Sequence, residues 1–188
     1  AAQWIAQNTE AKFGFLTEAA NSVGGYLVNA VPGANGANAA QAFAQPRKAY
    51  VLLNAEPELD SFNPQVARSA LNKAEMVVVM SPYKHGNDFA DVLLPIAPFS
   101  ETSGTFVNAE GRAQSFNGTV KPLGDTRPAW KVLRVLGNLL ELSGFDYETS
   151  EAIRNEIIGA NAPADANLLP RLNNLGKAAP QAEVLSLI

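Results

Sequence analysis

The stretch FADVLLPIAPFSETSGTFVNAEGRAQSF, Phe89 to Phe116, organises the rest of the chain. Val92, Leu93, Leu94 and Ile96 form a short apolar run, bounded by Asp91 and interrupted by Pro95. A run that short and that apolar suits a strand buried on both faces. From Glu101 to Gln114 the composition changes to Gly, Thr, Asn and charge. Thr105, Phe106 and Val107 favour a strand, Asn108 to Gly111 is turn chemistry, and Arg112 to Phe116 returns as the second arm of a hairpin. Glu101 and Arg112 can face each other across its base as a charge-assisted carboxylate–guanidinium pair. Glu110 is an alternative partner for Arg112, or a cap for the turn. If the pair is buried, removing Arg112 should cost roughly 1–3 kcal/mol.

Upstream, Ala49 to Asn54 is a second short apolar run and Glu75 to Met80 a third. Asn63 and Pro64 between them give a helix start, with Asn63 as cap and Pro64 in the first turn. Ala67, Ala70, Leu71 and Ala74 give that helix a narrow inner face. Strand, helix and strand of these lengths make a right-handed βαβ unit. About ten residues then lead to the Asp91 to Pro95 strand, near the lower limit for a parallel crossover, so a helical turn is expected near Gly86 to Ala90. The expected class is therefore α/β: a small, mostly parallel sheet with helices on both faces, plus a hairpin.

In such sheets ligands gather at the carboxyl ends of the strands. Glu56, Glu58 and Asp60 follow the first strand. They could grip a ribose or a metal, but a solvated acidic loop is the simpler reading. His85, the one histidine, follows the second strand without HxxxH or HExxH spacing, and a surface position is expected.

Residues 3 to 23 predict one helix, with Trp4, Ile5, Phe15, Leu16, Ala19 and Val23 on one face and Gly24-Gly25 ending it. Trp4 is expected to be a packing anchor. Tyr26 to Gln45 is a loop with a short helix at Ala39 to Ala44; its glycines follow a helix rather than a strand, which argues against a phosphate cradle. A long apolar helix is announced by Asp125 as cap and Pro128 in its first turn, and ends at Ser143-Gly144. Its broad apolar face suits the sheet on one side and a partner on the other. Ser150 to Ile158 is a last helix. Residues 1–158 are expected to form the α/β domain and 159–188 a low-complexity tail whose apolar end includes Val184, Leu185, Leu187 and Ile188.

Fourteen basic against eighteen acidic residues give a net charge of −4, with the basic ones scattered, so no nucleic-acid surface or polybasic membrane patch is expected. No apolar run approaches a bilayer span, so no membrane insertion is expected either. The absence of cysteine excludes disulfides, thiolate metal sites and cysteinyl iron–sulfur ligation within this chain. The chain begins at Ala1 in what reads as mid-helix, and is expected to be a piece of a longer protein.

The motifs ADVLLP and E-x-x-GTF-x-N-x-EGR-x-Q, Ala90 to Gln114, resemble the late domain of the molybdopterin oxidoreductase superfamily. The run VKPLGDTRPAWKVLRVLGNLL, Val120 to Leu140, is most similar to the large iron–sulfur subunit of bacterial NADH-quinone oxidoreductase (respiratory complex I), and Tyr50 to Asp60 matches more weakly. That resemblance implies a non-catalytic scaffold without cofactor or metal of its own, with iron–sulfur clusters held upstream. It implies as partners the upstream domains of its own chain and the other peripheral-arm subunits, on the cytoplasmic side of the bacterial inner membrane. The alternative within the superfamily is a catalytic molybdopterin enzyme such as a formate dehydrogenase. There this segment would hold a guanine dinucleotide limb through Asn54, Glu56, Ser81, Thr105, Asn108 and Arg112.

Overall fold

A computed structural model describes residues 1–9, 11–14 and 16–159. The expected tail lies outside the described residues, apart from Gly159. By proximity along the backbone, the described residues divide into two compact units. One comprises Ala1–Ala30, Thr105–Gln114 and the described residues from Ile157; the other comprises Val31–Gly104 and Ser115–Glu156.

The second unit holds the parallel sheet. Strands β1 (Ala49–Leu53), β2 (Met76–Ser81) and β3 (Val92–Pro95) lie in the order β1-β2-β3, both pairs parallel. Tyr50 pairs with Val77 and Leu52 with Val79, so these four share one face. Helices α3 (Ala39–Ala44) and α5 (Pro64–Leu71) cover it: Ala70 and Leu71 of α5 and Ala42 and Phe43 of α3 pack on the four strand residues. The Tyr50 hydroxyl donates to the Ala42 carbonyl at 2.8 Å and accepts from the Arg47 amide at 2.9 Å, which ties α3 to β1. Ala67 and Ala70 are fully buried, and their small side chains let α5 lie close on the strands. On the opposite face Val51, Leu53 and Met76 remain exposed and Met80 is buried. The α/β class stands, with helix cover visible on one face among the described residues.

Asn63 caps α5 as its sequence predicts, accepting from the Val66 amide at 3.1 Å. The link between β2 and β3 contains the expected turn, closed by the Ala90 amide on the Gly86 carbonyl at 2.8 Å. Asp91 does more than bound the strand. Its carboxylate accepts from the Val77 amide at 2.6 Å, while its own amide donates to the Val77 carbonyl at 2.9 Å. The pair fixes β3 on β2 one residue before the ladder begins.

Beyond β3, the chain passes a 3-10 turn at Phe99–Glu101 and enters a two-stranded hairpin, β4 (Gly104–Val107) and β5 (Ala113–Phe116). Helix α6 (Ala129–Leu139) starts later and stops earlier than its sequence predicts. Pro128 occupies the cap position itself, because Arg127 is held extended in a bridge beside Ile96. At the other end Glu141 takes φ +55°, the Glu141 amide bonds the Asn138 carbonyl, and the Leu142 amide bonds the Gly137 carbonyl. This is a Schellman ending with glutamate where glycine is usual. Helix α7 (Ser150–Ile158) matches its sequence bounds.

The first unit corrects the long N-terminal helix. It contains α1 (Ala2–Asn8) and α2 (Ser22–Leu27) instead. The Asn8 amide and Thr9 hydroxyl donate to the Trp4 and Ile5 carbonyls, and Thr9 turns extended, so the polar side chains end the first helix. Gly24 and Gly25 sit inside α2, and Asn29, at φ +57°, ends it. Trp4 and Leu16 are exposed, so Trp4 is no packing anchor among the described residues. Val23 does become core, packed with Val107, Leu27 and Ile158. Asn21 accepts from the Val107 amide at 2.8 Å, and a side chain at Gly24 would collide with Asn21.

Candidate functional site

The three parallel strands end on the same side, and the segments leaving them build the candidate site. After β1, Asn54 takes φ +54° while its amide still donates to the Met80 carbonyl at 2.9 Å. Asparagine tolerates that left-handed conformation better than a branched residue would. The chain then turns straight into α4 (Pro57–Asp60), one helical turn where an acidic loop is expected. Pro57 supplies a preset first-turn φ, and the Asp60 carboxylate accepts from the Glu56 amide at 2.6 Å. Asp60 is thereby committed to its own turn.

Glu58 and His85 depart furthest from the sequence reading. His85 is not a surface residue: its side chain is 12% exposed and its Nδ1 lies 4.0 Å from Glu58 Oε1. Glu58 is only about one-third exposed, so it is not a solvated turn residue. Both imidazole nitrogens and Glu58 Oε2 are buried without a hydrogen-bond partner among the described residues. Buried polar atoms are nearly always paired, so three unpaired ones together at the strand ends need an explanation.

Ser81 ends β2, 7% exposed, and its hydroxyl accepts from the Tyr83 amide at 3.0 Å. Beside it opens a cleft of about 310 Å³ lined by Ser81, Tyr83, Lys84, Leu93 and Pro95 among others. The walls are largely apolar, with Lys84 the cation among the lining residues. Among the described residues no group of three or more His, Asp or Glu could hold a metal ion.

The remaining candidates belong to the first unit. Thr105 lies half-buried in β4. Asn108 organises the hairpin turn: its side chain accepts from the Glu110 amide at 3.1 Å and the Arg112 amide at 2.9 Å. Gly111 takes φ +85°, which favours glycine. The expected ion pair is absent. Arg112 is exposed and forms no ion pair among the described residues, and a Glu101 oxygen instead accepts from the Leu123 amide at 2.9 Å. The short 3-10 turn commits Glu101 to the loop after the hairpin. Arg112→Ala should therefore change stability by no more than about 0.5 kcal/mol, the range of ordinary surface substitutions. A urea midpoint displaced by more than that would reveal a partner for the guanidinium.

The strand-end group can accept N–H or O–H donors through Glu58, and His85 can donate or accept according to its tautomer. Such a pair can meet both hydrogen-bond donors and acceptors. A pyrophosphate finds less there, because Glu56 and Glu58 oppose a second anion.

The molybdopterin oxidoreductase family profile matches residues 3–139. A provisionally named formate dehydrogenase of Staphylococcus haemolyticus is 34% identical over 98 residues, 52% of this chain and 10% of that protein. Similarly named proteins of Staphylococcus aureus are 34% identical over 96 residues and 35% over 98, each covering 50% of this chain and 10% of the relative. The match thus spans about a tenth of the length of these relatives. With a family match over residues 3–139, most of its length, the chain belongs to the molybdopterin oxidoreductase family.

Proposed function

We propose that this chain is one domain of a larger oxidoreductase subunit of the formate dehydrogenase kind, and that its strand ends face the nucleotide limb of a molybdopterin cofactor. The observation that carries the reading is the set of unpaired buried atoms, Glu58 Oε2 and both nitrogens of His85. The names of the relatives support the same reading. Glu58 and His85 would take the base or sugar, with Asn54, Glu56 and Ser81 beside them. Thr105, Asn108 and Arg112 of the hairpin are the further candidates. The bound cofactor supplies the redox chemistry; this chain supplies binding and orientation, and contributes no nucleophile or metal ligand in our reading.

A second reading rests on the Val120–Leu140 run and its resemblance to the large iron–sulfur subunit of complex I. Trp130 Nε1 and Arg134 Nε, one turn apart in that run, are buried donors without a hydrogen-bond partner among the described residues. In this reading the domain is a scaffold, Glu58 and His85 answer only each other, and iron–sulfur clusters lie elsewhere in the subunit. The other peripheral-arm subunits would be its partners, on the cytoplasmic side of the bacterial inner membrane.

Metal and pterin analysis of the full-length parent separates the two. Stoichiometric molybdenum or tungsten with a releasable pterin supports the cofactor-facing reading. Iron without molybdenum, tungsten or pterin sinks it and supports the scaffold.

A further inference from the structure

We propose that Asn117 is a site of spontaneous isoaspartate formation, and that the conversion releases the segment after β5 from the 3-10 turn at Phe99–Glu101.

The chemistry needs only the chain and water. The main-chain nitrogen of the residue after an asparagine gives up its proton and attacks the side-chain carbonyl carbon. A C–N bond forms, the side-chain nitrogen leaves as ammonia, and a cyclic succinimide remains. Water then opens that ring at one carbonyl or the other, giving aspartate or isoaspartate. A following glycine favours the attack, because no Cβ hinders the nitrogen and the backbone turns freely. The chain contains two such pairs, Asn35-Gly36 and Asn117-Gly118.

Both asparagines are exposed, but their attacking nitrogens differ. The Gly36 amide donates to the Gly33 carbonyl at 2.9 Å. An N–H held in a hydrogen bond must be freed before it can lose its proton. In the second pair neither the Asn117 side chain nor the Gly118 amide makes a hydrogen bond among the described residues.

Position 118 has a structural reason to be glycine, which leaves the reactive pair in place. A Cβ there would lie 2.9 Å from the Glu101 carbonyl carbon and 3.0 Å from the Thr102 nitrogen, so two backbone segments pass in close contact. Hydrogen bonds tie the same segments together. The Thr119 amide donates to the Ser100 carbonyl at 2.7 Å, and a Glu101 carboxylate oxygen accepts from the Leu123 amide at 2.9 Å. Isoaspartate routes the main chain through the former side chain and so inserts an extra methylene immediately before Gly118. At so close an approach the longer chain should carry the Thr119 amide off the Ser100 carbonyl. Aspartate leaves the main chain unchanged and should not.

The test is timed incubation of the full-length parent at mildly alkaline pH, with the same protein unfolded in urea alongside. Peptide mapping by mass spectrometry gives the conversion rate at each asparagine. Methyl transfer by an isoaspartyl methyltransferase measures the isoaspartate formed. Each rate is read against its own unfolded value. Folding should slow Asn35 by about three- to tenfold, the factor that one hydrogen bond on the attacking nitrogen is worth. It should leave Asn117 close to its unfolded rate. If folding slows Asn117 as much as Asn35, the site is closed and the proposal fails. Amide hydrogen exchange then reads the consequence. Thr119 should lose protection in proportion to the isoaspartate in the aged parent, and keep it in an Asn117→Gln variant aged in the same way. Undiminished protection of Thr119 in the converted protein would overturn the release.

Discussion

Leu71→Ala should destabilise the domain by about 2–5 kcal/mol, the usual range for emptying a leucine site in a packed core. Leu71 is 1% exposed and ends α5 against Tyr50, Val77 and Val79. Its cluster is made of strand residues fixed by the ladder, Ala70 of α5, and partly buried side chains that include Phe43 and Phe89. The measurement is a urea titration with the slope held against the parent chain. A loss below about 1 kcal/mol would mean that the helix collapses onto the strands, and that the narrow inner face is less constrained than its burial indicates. The same variant bears on the site, because α4, with Glu58, packs on α5. Any cofactor bound at the strand ends should be held more weakly as well.

Gly137→Ala is the second large effect, and its sign runs against helix propensity. In an exposed helix interior, alanine would gain up to about 1 kcal/mol over glycine. Here the added methyl would collide with the ring of Phe145. The ring belongs to the segment that folds back after the Schellman turn, and Gly137 provides both the space for it and the carbonyl that the Leu142 amide uses. The clash should outweigh the propensity and leave a net loss of about 1–3 kcal/mol, as overpacked sites do. A melting temperature equal to or above the parent's would show that Phe145 moves aside at little cost. In that case Phe145→Ala should be nearly neutral as well.

Much of this architecture is legible in the sequence because local chemistry and tertiary packing agree. The three apolar runs become the three strands to within a residue, and Asn63-Pro64 starts the helix it announces. Where the reading fails, a side chain substitutes for the usual punctuation. Asn29 and Glu141 adopt the left-handed endings that the glycine rule assigns to glycine. Asn8 and Thr9 cut a helix whose apolar spacing would have carried it to Val23. Asp125 precedes a helix without capping it, because a bridge to Ile96 fixes the chain just before Pro128.

The site is legible in position and not in membership. Strand ends are where an α/β sheet presents ligands, and that rule finds Glu56 and Ser81. It does not find His85, because motif spacing is the criterion for a histidine and this one lies in a loop. Its carboxylate neighbour Glu58 sits on α4, a helix of one turn that carries too few residues to show a period. A sole histidine a few residues past a parallel strand is the available signal.

The link after β2 has a consequence for how the sheet assembles. Residues 82–91, ten in number, separate β2 from β3, whereas 54–75, twenty-two in number, separate β1 from β2. Closing the shorter loop costs less chain entropy, by about 0.6 kcal/mol for a doubling of length. The Asp91 carboxylate adds a bond across that junction that forms as soon as the two ends meet. The β2–β3 pair is thus the cheapest non-local contact in the sheet, and early structure during refolding should centre on Val77 and Asp91, with β1 and its helix arriving afterwards.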